Sequence, residues 1–217
     1  SPEILGSGDG SRPFQRFDLK RTPLTYVAAA VPGGAASTLE VRVKGVRWHE
    51  VPTLHGAAPA DRIFTTRQQE DGTTTVQFGD GVTGARLPTG TNTVVANYRV
   101  GLGLAGAVAT GQISTLLSRP LGLKGVTNPI PATGAGDPEA LADARINAPL
   151  TVLTLDRVVS LRDFEDFARA FAGIGKARAA LRWNGERQEV HLTIAAADGS
   201  RVDPASALFQ NLLAALN

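Results

Sequence analysis

Cysteine is absent from all 217 residues, so disulfides, thiolate nucleophiles, iron–sulfur clusters and cysteine-ligated zinc are excluded together. Methionine is absent as well and the chain opens at Ser1, which reads as a segment of a longer protein. No apolar run reaches the roughly 20 residues that a membrane helix needs, and no charged-then-apolar leader opens the chain. No membrane anchor and no signal peptide are therefore expected. Aromatic side chains are scarce, with two Trp and two Tyr, which weighs against a carbohydrate-binding β module that would line up exposed rings on one face. Charge is nearly balanced, 22 basic against 20 acidic residues, and the basic ones are spread along the chain. Binding of nucleic acid, which wants a clustered basic face, is not expected; Arg42, Lys44, Arg47, Arg178 and Arg182 read as the solvated faces of strands.

Glycine and proline, 24 and 13 residues, are plentiful and indicate many turns. Residues 1–23 read as an extended lead-in around Phe14 and Phe17 with little regular structure. From Leu39 the pattern has period two: Leu39, Val41 and Val43 fall on one side and Glu40, Arg42 and Lys44 on the other, a half-buried strand whose core face Trp48 caps. The β-prone runs 63–68 and 73–78 flank Glu70-Asp71-Gly72, a tight hairpin signal in which Asp-Gly supplies positive φ angles. Val94, Ala96, Tyr98 and Val100 alternate again after a turn-rich stretch. Pro120, Pro129, Pro131, Gly134, Gly136 and Pro138 crowd a segment that neither a helix nor a central strand tolerates, and mark a linker.

Beyond the linker, Ser160 and Asp163 form a capping-box-like pair, and Phe164, Phe167, Ala168 and Phe171 recur at helical spacing up to Gly173. Ala177, Ala179, Leu181 and Trp183 alternate with Arg178, Ala180 and Arg182, Asn184-Gly185 turns the chain, and Val190, Leu192, Ile194 and Ala196 alternate on the return. Asp203 and Pro204 predict the N-cap and first turn of a last helix with a stripe of Leu208, Leu212, Leu213 and Leu216. The expected fold class is α+β. A glycine-rich, mainly antiparallel β domain spans 1–119, a Pro/Gly-rich linker 120–149, and a small αβ domain 150–217. The last is a split αβ sandwich, helix-strand-strand-helix, truncated before a final strand; Asn217 is not expected to be the natural end.

Gly101-Leu-Gly103-Leu-Ala-Gly106 spells G-x-G-x-x-G after a strand, the position of a dinucleotide fingerprint. The stretch after Gly106 is poorly helical and the next acidic residue is Asp137, far beyond the ribose-binding spacing, so a glycine-rich turn without cofactor is the reading adopted. His49-Glu50 fails as a zinc-protease motif, because Thr53 stands where the second histidine belongs and Pro52 breaks the helix. His55 and His191, the remaining histidines, read as surface or partly buried imidazoles. Asp163, Glu165 and Asp166 lie in the first turns of a helix, where negative charge meets the macrodipole, and are not needed as acid–base catalysts. Asp71 and Asp80 lack calcium-loop spacing and read as turn residues. No G-x-S-x-G elbow occurs. No catalytic residue, metal ligand or cofactor is assigned.

Val76 through Ala107, VQFGDGVTGARLPTGTNTVVANYRVGLGLAGA, resembles the signature stretch of the baseplate J-like family, found in contractile phage tails and related contractile injection systems. Phe78, Gly79, Asp80 and Gly81, the Leu87, Pro88, Thr89, Gly90 turn, and the glycines Gly101, Gly103 and Gly106 carry the likeness. Gly136-Asp137-Pro138-Glu139, the element from Ala144 to Pro149, the segment from Asp156 to Glu165 and the turn from Gly173 to Ala177 continue it in the family's order. Ala107, where the family carries Asn, departs from it. The resemblance implies a non-catalytic structural wedge component linking hub, sheath and peripheral parts of a sixfold baseplate. Its partners would be other baseplate proteins, including another copy or a paralogue of the chain. It would assemble in the bacterial cytoplasm and end in the baseplate of a virion or injection particle. Candidate partner-contact residues are Trp183, Asn184 and Gly185 at the hairpin turn and Leu208, Leu212 and Leu216 on the last helix.

Overall fold

The computed structural model describes residues 2–69, 71–118, 120–138, 145 and 158–216. Ser1, Glu70, Glu139, Ala144, Ile146 to Pro149, Asp156, Arg157 and Asn217, all named above, lie outside the described residues. The fold is α+β, as expected: a mostly antiparallel sheet that curls toward a barrel, then helix, strand, strand and helix. Backbone contacts gather Ser1–Val100 and Leu141–Asn217 into one unit and Gly101–Ala140 into another.

Seven strands form the large sheet, in the order β1 (Glu3–Gly8), β9 (Gly90–Asn97), β5 (Glu40–Val43), β6 (Val46–Glu50), β7 (Ile63–Gln68), β8 (Thr74–Phe78) and β2 (Arg16–Asp18). Neighbours in this order run antiparallel, with β6 and β7 the parallel exception. The period-two runs put Val41, Val43, Val76, Phe78, Val94 and Ala96 inside, each no more than 2% exposed, because alternate side chains share a face. Phe78 sits at the centre of this core: its ring meets Trp48 edge-on at 5.3 Å, Phe17 at 6.0 Å and Phe64 at 6.2 Å between centroids.

Several expectations are corrected. The lead-in is not irregular: β1 pairs with β9 and β2 with β8, so it supplies both edges of the sheet. Phe17 packs over Gly6, where a Cβ would come within 2.6 Å of the ring, so side-chain packing joins the two edges. Trp48 belongs to its own strand, β6, reached through a two-residue turn in which Lys44 and Gly45 have φ of 50° and 80°. The β7–β8 loop is longer than a two-residue turn; Gln69 donates to the Thr73 carbonyl at 2.8 Å, and Gly72, not Asp71, has positive φ. Val100 leaves the core and is exposed, because β9 ends at Asn97. A small hairpin of β3 (Tyr26–Ala28) and β4 (Ala35–Ser37) stands apart from the large sheet.

The C-terminal module begins with α1 (Leu161–Ala170), whose capping box is formed: the Ser160 hydroxyl accepts from Asp163 N–H, and the Asp163 carboxylate accepts from the Ser160 and Val159 N–H groups. These backbone donors hold the Asp163 carboxyl below its ordinary value. Phe167, Ala168 and Phe171 face a core with Ile174 and Leu212, against which Ala177, Leu192, Ile194 and Leu208 pack. Strands β10 (Ile174–Trp183) and β11 (Gln188–Ala196) run antiparallel, with Ala179 opposite Leu192 and Leu181 opposite Val190; Trp183 faces Gln188, so the loop is longer than the Asn184-Gly185 pair. The alternation places Leu181 with the core residues, yet it is 54% exposed, because α1 spans only the base of the long hairpin. The last helix, α2 (Ala207–Leu216), starts after the Asp203–Ser206 turn, so Ser206 rather than Asp203 receives the first-turn N–H, from Phe209. Leu213 points away from the stripe and is exposed.

This module seats on the β3–β4 hairpin. The N–H of Ala172 donates to the Gly33 carbonyl at 3.0 Å, and Gly34 lies so near the Phe171 ring that a Cβ would stand 2.7 Å from it.

Burial separates two large hydrophobes that the sequence pattern alone treats alike. Phe167→Ala should cost about 3 to 5 kcal/mol in a urea melt, whereas Leu181→Ala should cost less than about 1 kcal/mol.

Candidate functional site

The signature turn between β8 and β9 is a brace. Gly79 is buried against the backbone of Gly84, where any Cβ would come within 2.3 Å of a carbonyl oxygen, so no larger residue fits without moving the chain. Gly81, at φ 86°, then reverses the chain and donates to the Gly84 carbonyl at 2.9 Å. The Asp80 carboxylate accepts from the N–H groups of Val82 and Thr83 and from the Thr83 hydroxyl. The Thr83 and Val82 backbone donors hold its carboxyl below the ordinary 3.8. Leu87 plugs the core and the Pro88 carbonyl lies against Gly8. Thr89 accepts from Gly10 N–H at 2.8 Å, and Gly90 opens β9.

One residue that the sequence does not single out ties this turn to the start of the chain. Arg86 donates twice to the Asp80 carbonyl, at 2.7 and 2.9 Å, and once to the Gly10 carbonyl at 3.2 Å. Nothing local in the sequence signals it, since Gly10 lies 76 positions away. With its carboxylate and guanidinium both engaged by protein partners, the turn is built to hold shape rather than to react. Likewise Asp71 accepts from Thr73 N–H as a turn residue.

The glycine triplet Gly101, Gly103 and Gly106 lies in the second unit and closes in a short 3-10 turn, Gly103–Gly106, without a helix of the length a phosphate site uses. The Asp137 carboxylate accepts from Leu104 N–H at 2.8 Å and stands where a Cβ on Gly103 would have to go. A carboxylate therefore already fills the spot where a pyrophosphate would be cradled.

The three helix carboxylates divide. Asp163 completes the capping box, as expected of a helix-end residue. Glu165 instead reaches the hairpin, where it accepts from Ala179 N–H at 3.0 Å and lies 3.5 Å from Arg178. Asp166 is buried between Arg162 and Arg169, at 3.6 and 3.5 Å. The Glu165 contact occupies part of the free edge of β10, a guard against unplanned strand pairing.

At the far end of the hairpin, Trp183 is 67% exposed, Asn184 accepts from the N–H groups of Glu186 and Arg187, and Gly185 turns at φ 104°. Leu181 and Val190, opposite each other, are exposed on the same face as Trp183. On α2, Leu212 is buried in the module's own core, with Leu208 and Leu216 packed against that core. The candidate contact residues thus fall into an outward group on the hairpin and an inward group on the helix. Among the described residues no group of three or more His, Asp or Glu side chains comes together to hold a metal, and no helix is long and apolar enough to cross a membrane.

Residues 156–217 match the family model described as Baseplate J-like central domain. The resemblance read from the sequence holds for this stretch, and a match to this domain suggests a structural baseplate component. No curated protein matches the chain.

Because the folded-state carboxyl of Asp80 is lowered, the stability it contributes is complete above 3.8 and is lost as pH falls through the lowered value. The gap in melting temperature between wild type and Asp80→Asn should therefore narrow on going from about pH 6 to about pH 2. In calorimetry, NAD, FAD and ATP should give no saturable heat; micromolar binding abolished by Gly103→Val would overturn that expectation.

Proposed function

We propose that the chain is a non-catalytic wedge component of a contractile baseplate, tying the central hub to sheath and peripheral parts. The observation that carries this reading is the match of residues 156–217 to the Baseplate J-like central domain. The order of signature elements from Phe78 to Ala177 supports it. The signature residues Phe78, Gly79, Asp80, Gly81, Leu87, Pro88 and Gly90 act as its internal brace, and no reactive group is needed. Other baseplate proteins, including another copy or a paralogue in a sixfold assembly, are the partners in this reading. The exposed hairpin end around Trp183, Asn184 and Gly185 is the surface offered to them, with Leu208, Leu212 and Leu216 holding the helix behind it. In the same reading the Pro/Gly-rich segment 120–149 is the boundary between a β domain and an αβ domain. The protein would assemble in the bacterial cytoplasm and finish in the baseplate of a virion or injection particle.

Cross-linking mass spectrometry on intact particles, combined with deletion of residues 150–217 from the full-length protein, tests this. The expected result is cross-links from the hairpin to baseplate neighbours and, in the deletion, particles without complete, contractile baseplates. Complete baseplates in the deletion strain would remove the assembly role.

A further inference from the structure

Asn184 and Gly185 form the only Asn-Gly pair in the chain, and they stand at the far end of the hairpin, between the last residue of β10 and the first of β11. The Asn184 N–H donates to the Arg187 carbonyl at 3.1 Å and closes the loop 184–187, in which every residue is exposed. The nucleophile nearest to an asparagine's side-chain amide carbon is the backbone nitrogen of the residue that follows it. Glycine in that place, lacking a Cβ, leaves the approach of the two atoms open. No atom lies within 4 Å of where a Cβ on Gly185 would stand, so the loop is not packed against anything there. At rest the Asn184 side chain is engaged: its Oδ1 accepts from the N–H groups of Glu186 and Arg187, both at 2.9 Å, and its amide donates to Glu189. All three bonds are exposed to water and of modest net strength, so the side chain turns toward the Gly185 nitrogen at small cost.

The other described asparagines lack this arrangement. Asn128 precedes Pro129, which has no N–H to give up. Asn92 precedes Thr93, whose branched Cβ crowds the nitrogen, and Asn97 precedes the buried Tyr98. Asn211 lies within α2, where the next backbone N–H is committed to the helix ladder.

We propose that Asn184 is a self-modification site, at which the Gly185 nitrogen closes on the Asn184 amide carbon to form a succinimide that water opens to aspartate or isoaspartate. In the first step the bond from the Gly185 nitrogen to Cγ forms and the Cγ–Nδ2 bond breaks, and the Gly185 proton leaves with the amide nitrogen as ammonia. In the second, water breaks one of the two carbon–nitrogen bonds of the ring. Breaking the bond to the side-chain carbon leaves aspartate; breaking the bond to the main-chain carbon leaves isoaspartate, which adds a carbon to the main chain of the loop. Water is the only co-reactant. The product cannot donate to Glu189 and places a second carboxylate beside it, so the end of the hairpin that carries Trp183 is altered in charge and in shape. The reaction belongs to the chain itself and does not depend on the baseplate reading.

The test incubates the purified, folded chain at neutral and mildly alkaline pH and follows it by peptide-mapping mass spectrometry, with enzymatic methyl labelling of isoaspartate. The mass gain of an amide becoming an acid should appear in the peptide holding residues 184 and 185 before it appears at Asn92, Asn97 or Asn211. Isoaspartate should be present in that peptide, and the rate should rise with pH as the Gly185 nitrogen gives up its proton more readily. Gly185→Val should slow the conversion several-fold. Valine at the φ of 104° found there strains the loop, but a looser loop would only free Asn184, so slower conversion still reports the bulk placed at 185. Asn184→Gln, whose longer side chain closes a less favourable ring, should leave the peptide unchanged over the same time. Conversion at Asn184 no faster than at Asn92 or Asn97 would overturn the proposal, as would an unaltered rate in Gly185→Val. Aspartate without isoaspartate would mean direct attack by water on the amide and would overturn it too.

Discussion

Phe78 lies where the large sheet is decided. Its ring is fully buried and touches rings from β2, β6 and β7, so a single side chain ties together four consecutive strands of the curled sheet. A sheet with so many short strands has little stability as a flat surface, because each strand buries only a few side chains. Curling it until β1 and β2 meet creates an inside, and the aromatic group fills that inside. The next residue, Gly79, begins the signature turn, so the turn's position depends on where Phe78 is anchored.

That turn has no chemical task of its own, yet it is crowded with specific contacts. Asp80 is satisfied by neighbouring N–H groups, Arg86 spans from the turn to Gly10, and Thr89 holds the same loop from the other side. Each of these contacts is on or near the surface and of modest strength alone. Together they fix the first loop of the chain against the start of β9, which keeps the edge strands in register.

The C-terminal module divides its apolar residues between two uses. At the base of the hairpin they pack under α1 and α2; at its far end Leu181, Trp183 and Val190 stay in solvent on the same face. Two helices of ten residues each cannot cover strands of ten and nine residues along their whole length. Asp166 and Glu165 add polar detail: one is held between two arginines, the other reaches across to the β10 backbone. A hairpin with one guarded edge and a bare apolar end offers a defined surface rather than a general tendency to stick.

The local elements are written plainly in the chain. Period-two runs locate β5, β7, β8, β9, β10 and β11, and Ser160 with Asp163 locates the start of α1, because alternation and capping involve residues within a few positions of one another. Other starting points are hidden from local pattern for the same reason in reverse. Residues 3–8 and 16–18 carry no strong pattern and become strands only because β9 and β8 give them partners. Asp203 has the composition of a cap, yet the chain makes one further turn before Ser206 begins the helix. Gly79 can be picked out by the family resemblance, but its reason cannot, since Gly84 requires it; Gly6, required by Phe17, and Gly34, required by Phe171, carry no sequence signal at all, each being a close approach set by packing. Leu181 and Leu192 have equal standing in the sequence pattern. Only the length of the helix above them decides that Leu192 is half-buried and Leu181 exposed, since burial belongs to the contact between elements and not to either strand alone.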